Sequence, residues 1–254
     1  MHPVLFKIGP ITIYSYGIFI ASAVFLALAF SIKEAKRKGL DPKIASDLGF
    51  YSIIMGVIGS RLGYVLVNPS EFLKNPFLVF KLWEGGLVFI SGFILGVLFL
   101  LFYLKKKKQP ILDWLDTFAI GIPLGQFVGR IGCFMAGCCY GKVCRLPWAV
   151  EFHDPLSIAP QGVPLHPTQI YHSIAGLITF VVLFLVRKRV KTSGKLFFLL
   201  IVLYSFFRFI IEFFRGDPRP YLGPFSITQW LAIFMFFAGI FCVWKIKGQV
   251  HKLN

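Results

Sequence analysis

GRIGCFMAGCCYGK, residues 129–142, sets an arginine inside an apolar segment that runs from about Phe118 to Gly137 and then leaves it through a run of glycines and cysteines. An arginine inside a membrane span costs roughly 3 kcal/mol on insertion scales. Something must offset that cost: a bundle interior or cavity where the residue serves binding or transport, a partner carboxylate, or an interface within reach of its long side chain. Gly125, Gly129 and Gly132 are spaced to let neighbouring helix backbones approach closely. Gly137 and Gly141 suit a chain turning out of a helix.

The surrounding composition agrees with a membrane setting. The 254 residues are 57% hydrophobic, 17% aromatic and only 15% charged, and mean hydropathy is +0.75. Such a chain is a polytopic membrane protein, not a soluble domain. The net charge of +16 lies in short basic blocks between apolar runs. That is a topology signal and argues against nucleic acid as a partner. The N-terminus MHPVLFKIGP lacks the charged start, compact apolar region and small-residue site of a cleavable signal peptide, so the first span is expected to act as its own address. Five cysteines are too few for a disulfide scaffold.

Seven apolar runs reach the roughly 20 residues needed to cross a bilayer. They lie near Ile11 to Ile32, Ala45 to Val67, Gly86 to Leu104, Leu115 to Gly137, Thr168 to Val186, Leu196 to Phe214 and Ser226 to Trp244. The expected fold is therefore all-α: one integral membrane domain, residues 1–254, with seven transmembrane helices. Basic clusters at Lys33 to Lys43, Lys105 to Lys108 and Arg187 to Lys195, together with the tail lysines Lys245, Lys247 and Lys252, fall on alternate connections. This places the N-terminus outside and the C-terminus in the cytoplasm. Of the outer connections, residues 68–85 carry Phe72, Phe77, Phe80 and Trp83 and read as an interfacial arm, with a plain loop as the alternative. Residues 138–167 hold Pro147, Pro155, Pro160, Pro164 and Pro167 and read as a small irregular extracytoplasmic cap. There is no internal repeat of the kind that marks many transporters.

The sixth run ends YSFFRFIIEFFRGD, and its Tyr204, Arg208, Glu212 and Arg215 share one helical face. A polar stripe on an aromatic helix must look into the protein, because lipid offers it no partners. Glu212 pairing with Arg208 is its simplest structural explanation. Arg61, Arg130 and Arg208 sit in three separate apolar runs with few acids nearby. Guanidinium forks match phosphate, which points to a phospholipid headgroup. No metal and no cofactor are expected. Cys138, Cys139 and Cys144 with His153 match no common zinc spacing and read as free thiols or one disulfide, which would involve Cys144 because adjacent cysteines seldom bond to each other.

In this order across the chain, IYSYGIF from Ile13, GSRLGYV from Gly59, WEGGLVF from Trp83, the 129–142 signature, LHPTQIY from Leu165 and the YSFFRFIIEFFRGD block resemble the bacterial prolipoprotein diacylglyceryl transferases. The resemblance implies a multi-pass enzyme of the bacterial cytoplasmic membrane with its site facing the outer leaflet. Such an enzyme moves the diacylglyceryl group of phosphatidylglycerol onto the lipobox cysteine of a prolipoprotein signal peptide, forming a thioether and releasing glycerol phosphate. It further implies Arg130 as the signature arginine at the headgroup, Arg208 as the second essential arginine, and Tyr16 as the first-span tyrosine. Gly141 closes the signature, Tyr204 and Glu212 complete the polar face, and Arg61 and His166 join the substrate-binding set. The alternatives are an anion or lipid transporter using the same arginines and a non-catalytic phospholipid-binding paralogue.

The chain departs from the family pattern at three points. Ile90 stands where many members carry a histidine, and Cys133 and Cys138 where many carry Asn and Glu. A histidine base at position 90 is therefore excluded, and Tyr16, His166, His172 and Glu212 are the candidate substitutes, among which the sequence does not choose. Arg130 and Arg208 are expected roughly 10 Å below the outer interface, facing one cavity that opens to lipid.

Overall fold

The computed structural model describes residues 2–9, 11–81 and 85–246. Trp83 of the expected arm and the tail lysines Lys247 and Lys252 lie outside the described residues. The chain forms two compact units, residues 35–114 and residues 1–34 with 115–254. Their boundaries fall inside helices α1 (Ser15–Arg37) and α5 (Ile111–Ala136).

The remaining helices are α2 (Pro42–Val67), α3 (Pro69–Lys74), α4 (Phe89–Lys106), α6 (Thr168–Val186), α7 (Lys195–Glu212) and α8 (Ile227–Lys245). Among the described residues, α1, α2, α4, α5, α6 and α8 are the six helices long and apolar enough to cross a membrane. The sixth expected span is α7, which is only 18 residues long, so that Lys195, Arg208 and Glu212 all fall within its one membrane-length stretch, whereas the longer helices can leave their terminal charges outside theirs.

The fold is helical as expected, with two short hairpins, the first of which corrects the start of the first span. Val4–Ile8 (β1) and Ile11–Tyr14 (β2) form an antiparallel hairpin, and Tyr221–Leu222 (β3) pairs with Phe225–Ser226 (β4). Helix α1 therefore starts at Ser15, four residues after the expected start at Ile11. The physical reason is that Ile11, Thr12 and Ile13 are β-branched and favour extended pairing. Ser15 ends the hairpin by donating its N–H to the Pro3 carbonyl at 2.9 Å and its hydroxyl to the His2 carbonyl.

In the larger unit, the glycine spacing of α5 works as read. A Cβ on Gly125 would stand 3.2 Å from the Ala23 carbonyl oxygen, and one on Gly132 would stand 2.7 Å from the Phe19 Cβ. Positions rising along α5 meet positions falling along α1, so the two helices run antiparallel in close backbone contact. On α6, Gly176 approaches Pro123 and Phe127 of α5 in the same way. A core of Ala119, Ile120, Leu183, Leu196 and Leu200 joins α5, α6 and α7. The Asp116 carboxylate accepts the Gly194 and Phe197 N–H groups at 2.8 Å each, which caps the positive end of α7.

In the smaller unit, α2 and α4 pack through Gly59, Gly63 and Gly92. Arg61 lies on α2 and is buried. Its Nε donates to the Val79 carbonyl at 3.1 Å, Nη1 to Gly85 and Gly86 at 2.8 and 3.0 Å, and Nη2 to Leu78 and, at 3.3 Å, Lys81. A guanidinium has five N–H donors, and all five are matched by carbonyls. The rings of Tyr64 and Phe72 lie 5.5 and 5.4 Å from its centre. Any role toward substrate would require those bonds to break, so the geometry gives Arg61 the task of holding the main chain at residues 78, 79, 81, 85 and 86. Arg61→Met leaves these carbonyls unpaired and is expected to lower stability by about 3 kcal/mol. The check is limited proteolysis in detergent, where new cleavage within residues 69–81 is the expected result.

Candidate active site

The larger unit gathers the chemistry at the C-terminal ends of α5 and α7, the N-terminal turns of α1 and α6, and the segment that follows α7. Arg130 lies six residues before the end of α5 and Arg208 four before the end of α7, which is about 9 Å and about 6 Å along the helix axes. Both bear on His172 of α6. The Arg208 Nη1 is 3.0 Å from His172 Nε2, and the Arg130 charge acts on the same ring. Arginine can only donate, so His172 Nε2 presents its lone pair and the ring carries its proton on Nδ1.

On α7 the stripe is buried at Arg208 and Glu212, and Tyr204 one turn before Arg208 acts electrostatically on it; the helix ends at Glu212, so Arg215 of the expected stripe lies beyond it, also buried. Arg208 Nη2 lies 3.0 Å from Glu212 Oε2, the expected pairing. Glu212 Oε1 also accepts the Ser226 hydroxyl at 3.1 Å, and Arg219 Nη1 lies 3.8 Å away. Arg215 makes a fork on Asp217 at 2.7 and 2.6 Å, with Arg219 3.0 Å from the same carboxylate. Burial would raise the Asp217 carboxyl, but the Arg215 fork and Arg219 together hold it below its ordinary value.

Arg130 differs from these. Among the described residues, neither a hydrogen bond nor an ion pair reaches its guanidinium, although its field acts on Tyr16, Cys133, Cys139 and His172. Among the described residues, the carboxylates that pair with Arg208, Arg215 and Arg219 are Glu212 and Asp217, and Arg130 pairs with neither. Four arginines against two carboxylates leave positive charge in excess, and the Arg130 guanidinium carries no protein hydrogen bond among the described residues.

Gly141 fixes the path of the signature loop. Its N–H bonds the His166 carbonyl at 3.1 Å, Lys142 N–H bonds Phe214 at 2.8 Å, and Gly216 N–H bonds Tyr140 at 3.1 Å. A Cβ at Gly141 would lie 2.5 Å from the His166 Cβ and 2.8 Å from the Phe214 oxygen, so the three segments meet only because no side chain is there. The His166 Nδ1 is 3.1 Å from the Tyr171 hydroxyl, which accepts the Trp148 indole N–H at 2.8 Å. Burial, and then Lys142, lower the His166 pKa from its ordinary value. His166, Tyr171 and Trp148 edge an apolar groove of about 410 Å³ between α6 and α7, continued by Ile174, Ile178 and Phe207.

The five cysteines are free thiols. The sulfurs of Cys133, Cys138 and Cys139 all lie within 4.8 Å of one another. The third thiol beside the adjacent pair is therefore Cys133 from the last turn of α5, in place of Cys144. His153 pairs instead with Glu151, at 3.5 Å. Thr168 and Gln169 in the first turn of α6 hold the Cys139 and Cys138 carbonyls at 2.7 and 2.8 Å. Hydrogen bonds from Cys133 and Cys138 push the Cys139 thiol well below its ordinary value, with help from Arg215 and Arg130. Bonds to Cys133 and Cys139 push Cys138 up.

Of the residues expected from sequence, Arg130, Arg208, Glu212, Tyr204 and Tyr16 converge here. His166 and Gly141 form the adjoining junction, and Arg61 has its own partners in the smaller unit. The structure adds Arg215, Asp217 and Arg219 to the site. It also gives His172, one of the four substitute bases, a set position against Arg208. Ile90 lies on α4 and is exposed.

Six helices long and apolar enough to cross a membrane, among the described residues, define a polytopic membrane protein, and its larger unit carries a cluster of arginines. The chain belongs to the prolipoprotein diacylglyceryl transferase family, whose model matches residues 3–245, and it is accordingly a transferase. It is 38% identical to the phosphatidylglycerol–prolipoprotein diacylglyceryl transferase of Clostridium tetani over 242 residues, 95% of this chain and 96% of that one. It is 36% identical to the enzymes of the same name from Bordetella avium and Geobacter sulfurreducens, each over 94% of this chain and 92% of the relative.

Proposed function

We propose that this protein transfers the diacylglyceryl group of phosphatidylglycerol to the lipobox cysteine of prolipoproteins, forming a thioether and releasing glycerol phosphate. The observation that carries the reading is the unpaired Arg130 fork beside the His172–Arg208–Glu212 chain. In a water-poor site, an arginine without a protein partner calls for an anion, and a phosphate diester supplies one. Arg130 and Arg208 bind the phosphate and stabilise the charge that builds on the departing glycerol phosphate. Glu212 holds Arg208 in place, Tyr16 and Tyr204 line the approach, and Gly141 and His166 shape the loop around the headgroup. The apolar groove beside His166 suits an acyl chain.

In this reading α7 also crosses the membrane, which brings the spans to seven. Its charged face turns to the site, where Arg208 and Glu212 offset one another. Seven crossings with the basic connections inward put the N-terminus outside, the C-terminus in the cytoplasm, and the site at the outer leaflet of the bacterial cytoplasmic membrane. Residues 138–167 form the cap over the site, and residues 68–85 an arm at the interface. A reporter fused after Asn254 is expected to read as cytoplasmic, and an external signal would overturn the assignment of faces.

The test of function is a transfer assay with purified protein, phosphatidylglycerol and a lipobox peptide, read by mass spectrometry. The expected product is a peptide heavier by one diacylglyceryl group, resistant to thioester-cleaving reagents. A transporter or a lipid-binding paralogue would leave the peptide unmodified.

A further inference from the structure

Cys133, Cys138 and Cys139 have no part in the phosphate chemistry, yet they stand beside it. Three sulfurs already within 4.8 Å of one another are close to a coordination set. A tetrahedral d10 cation about 2.3 Å from each thiolate spaces the sulfurs about 3.8 Å apart, so closure requires a shift of no more than about 1 Å.

The loop is built to bring the three together. Cys133 comes from the last turn of α5, Gly137 turns the chain at φ +73°, and Cys139 is held at φ +60°, a region that non-glycine residues rarely occupy. Thr168 and Gln169 fix the carbonyls behind the two adjacent thiols. The charges also balance. Three thiolates around a divalent cation leave one negative charge, and both Arg215 and Arg130 act on Cys139.

Three protein ligands leave one position open, the arrangement of catalytic rather than structural sites. Resting on the transferase reading above, we propose that Cys133, Cys138 and Cys139 bind a thiophilic d10 divalent cation of the zinc class, whose open position takes the acceptor cysteine as its thiolate. This meets a need of the reaction, because a free cysteine is only partly ionised at neutral pH, whereas a coordinated thiol is deprotonated. Each of the three protein thiols, and then the acceptor thiol, releases its proton to solvent. The acceptor sulfur uses a lone pair to form the C–S bond at the glyceryl carbon, and the C–O bond to phosphate breaks with its electron pair leaving on glycerol phosphate. The thioether product is neutral and a weak donor, so it departs, and water returns to the open position. No oxidant or reductant takes part.

The experiment uses the purified full chain in detergent, with Cd²⁺ as the spectroscopic probe. One equivalent should bind with a thiolate-to-cadmium charge-transfer band that is lost in Cys133→Ser and in Cys139→Ser and kept in Cys144→Ser. Absence of the band in the unaltered chain, or its survival in both cluster variants, overturns the site. In the transfer assay, chelator treatment should lower the rate at least tenfold and Zn²⁺ should restore it. Full transfer by metal-free protein overturns the role of the cation while leaving the transferase reading intact. Failure of transfer in every preparation, including zinc-loaded protein, overturns the transferase reading and with it the role given to the cation, while the cadmium band still decides whether the site exists.

Discussion

Arg130→Lys lowers kcat/KM for transfer from phosphatidylglycerol to a lipobox peptide by roughly 100-fold, the scale seen when one preorganised donor to a developing anion is removed. The substitution keeps the charge and most of the side-chain length. What it removes is the planar pair of parallel N–H groups, for which a rotating ammonium is no substitute on a phosphate. Because no hydrogen bond or ion pair among the described residues engages the Arg130 guanidinium, the substitution breaks no protein contact of that kind, and the folded state should be little affected. The two readouts therefore separate: thermal stability in detergent unchanged, transfer nearly abolished. Near-normal turnover by Arg130→Lys would assign the arginine to structure and remove the main support for the phosphate site.

The apolar runs located the helices because span length and hydropathy are properties of contiguous sequence. Thr168–Val186 is bounded as expected, and α2, α7 and α8 begin or end within three residues of their expected limits. The start of α1 was misplaced because Ile11, Thr12 and Ile13 are apolar or β-branched in either setting, and hydropathy does not separate a strand from the first turn of a span. The Arg208–Glu212 pair was legible because helical spacing alone brings i and i+4 together. The His172 contact to Arg208 was not, because the two lie 36 positions apart on different helices. The Arg215–Asp217 fork forms after the helix has ended, where no period applies. Arg61 shows the limit most clearly. Sequence reveals an arginine among apolar residues, but its partners are main-chain carbonyls, which every residue has and no residue type announces.

Arg208→Gln is expected to lower kcat/KM by roughly 1,000-fold, and its meaning depends on Glu212. Arg208 Nη2 lies 3.0 Å from Glu212 and its Nη1 3.0 Å from His172, so two explanations of lost activity compete. In one, Arg208 only neutralises a buried carboxylate, and removing it leaves an uncompensated charge that distorts the site. In the other, Arg208 also reaches the lipid phosphate. The double variant Arg208→Gln with Glu212→Gln separates them, because it removes the buried charge and its partner together. If neutralisation were the whole role, the double variant would recover most of the activity lost by Arg208→Gln. If Arg208 acts on phosphate, the double variant stays as slow as Arg208→Gln. Glu212→Gln alone, which leaves a side-chain oxygen for the Ser226 hydroxyl and the arginine charge in place, then falls only about tenfold. The persistent loss is the expected outcome, since Glu212 and Asp217 leave the four arginines with charge in excess, and in the membrane interior an anionic substrate can offset what remains.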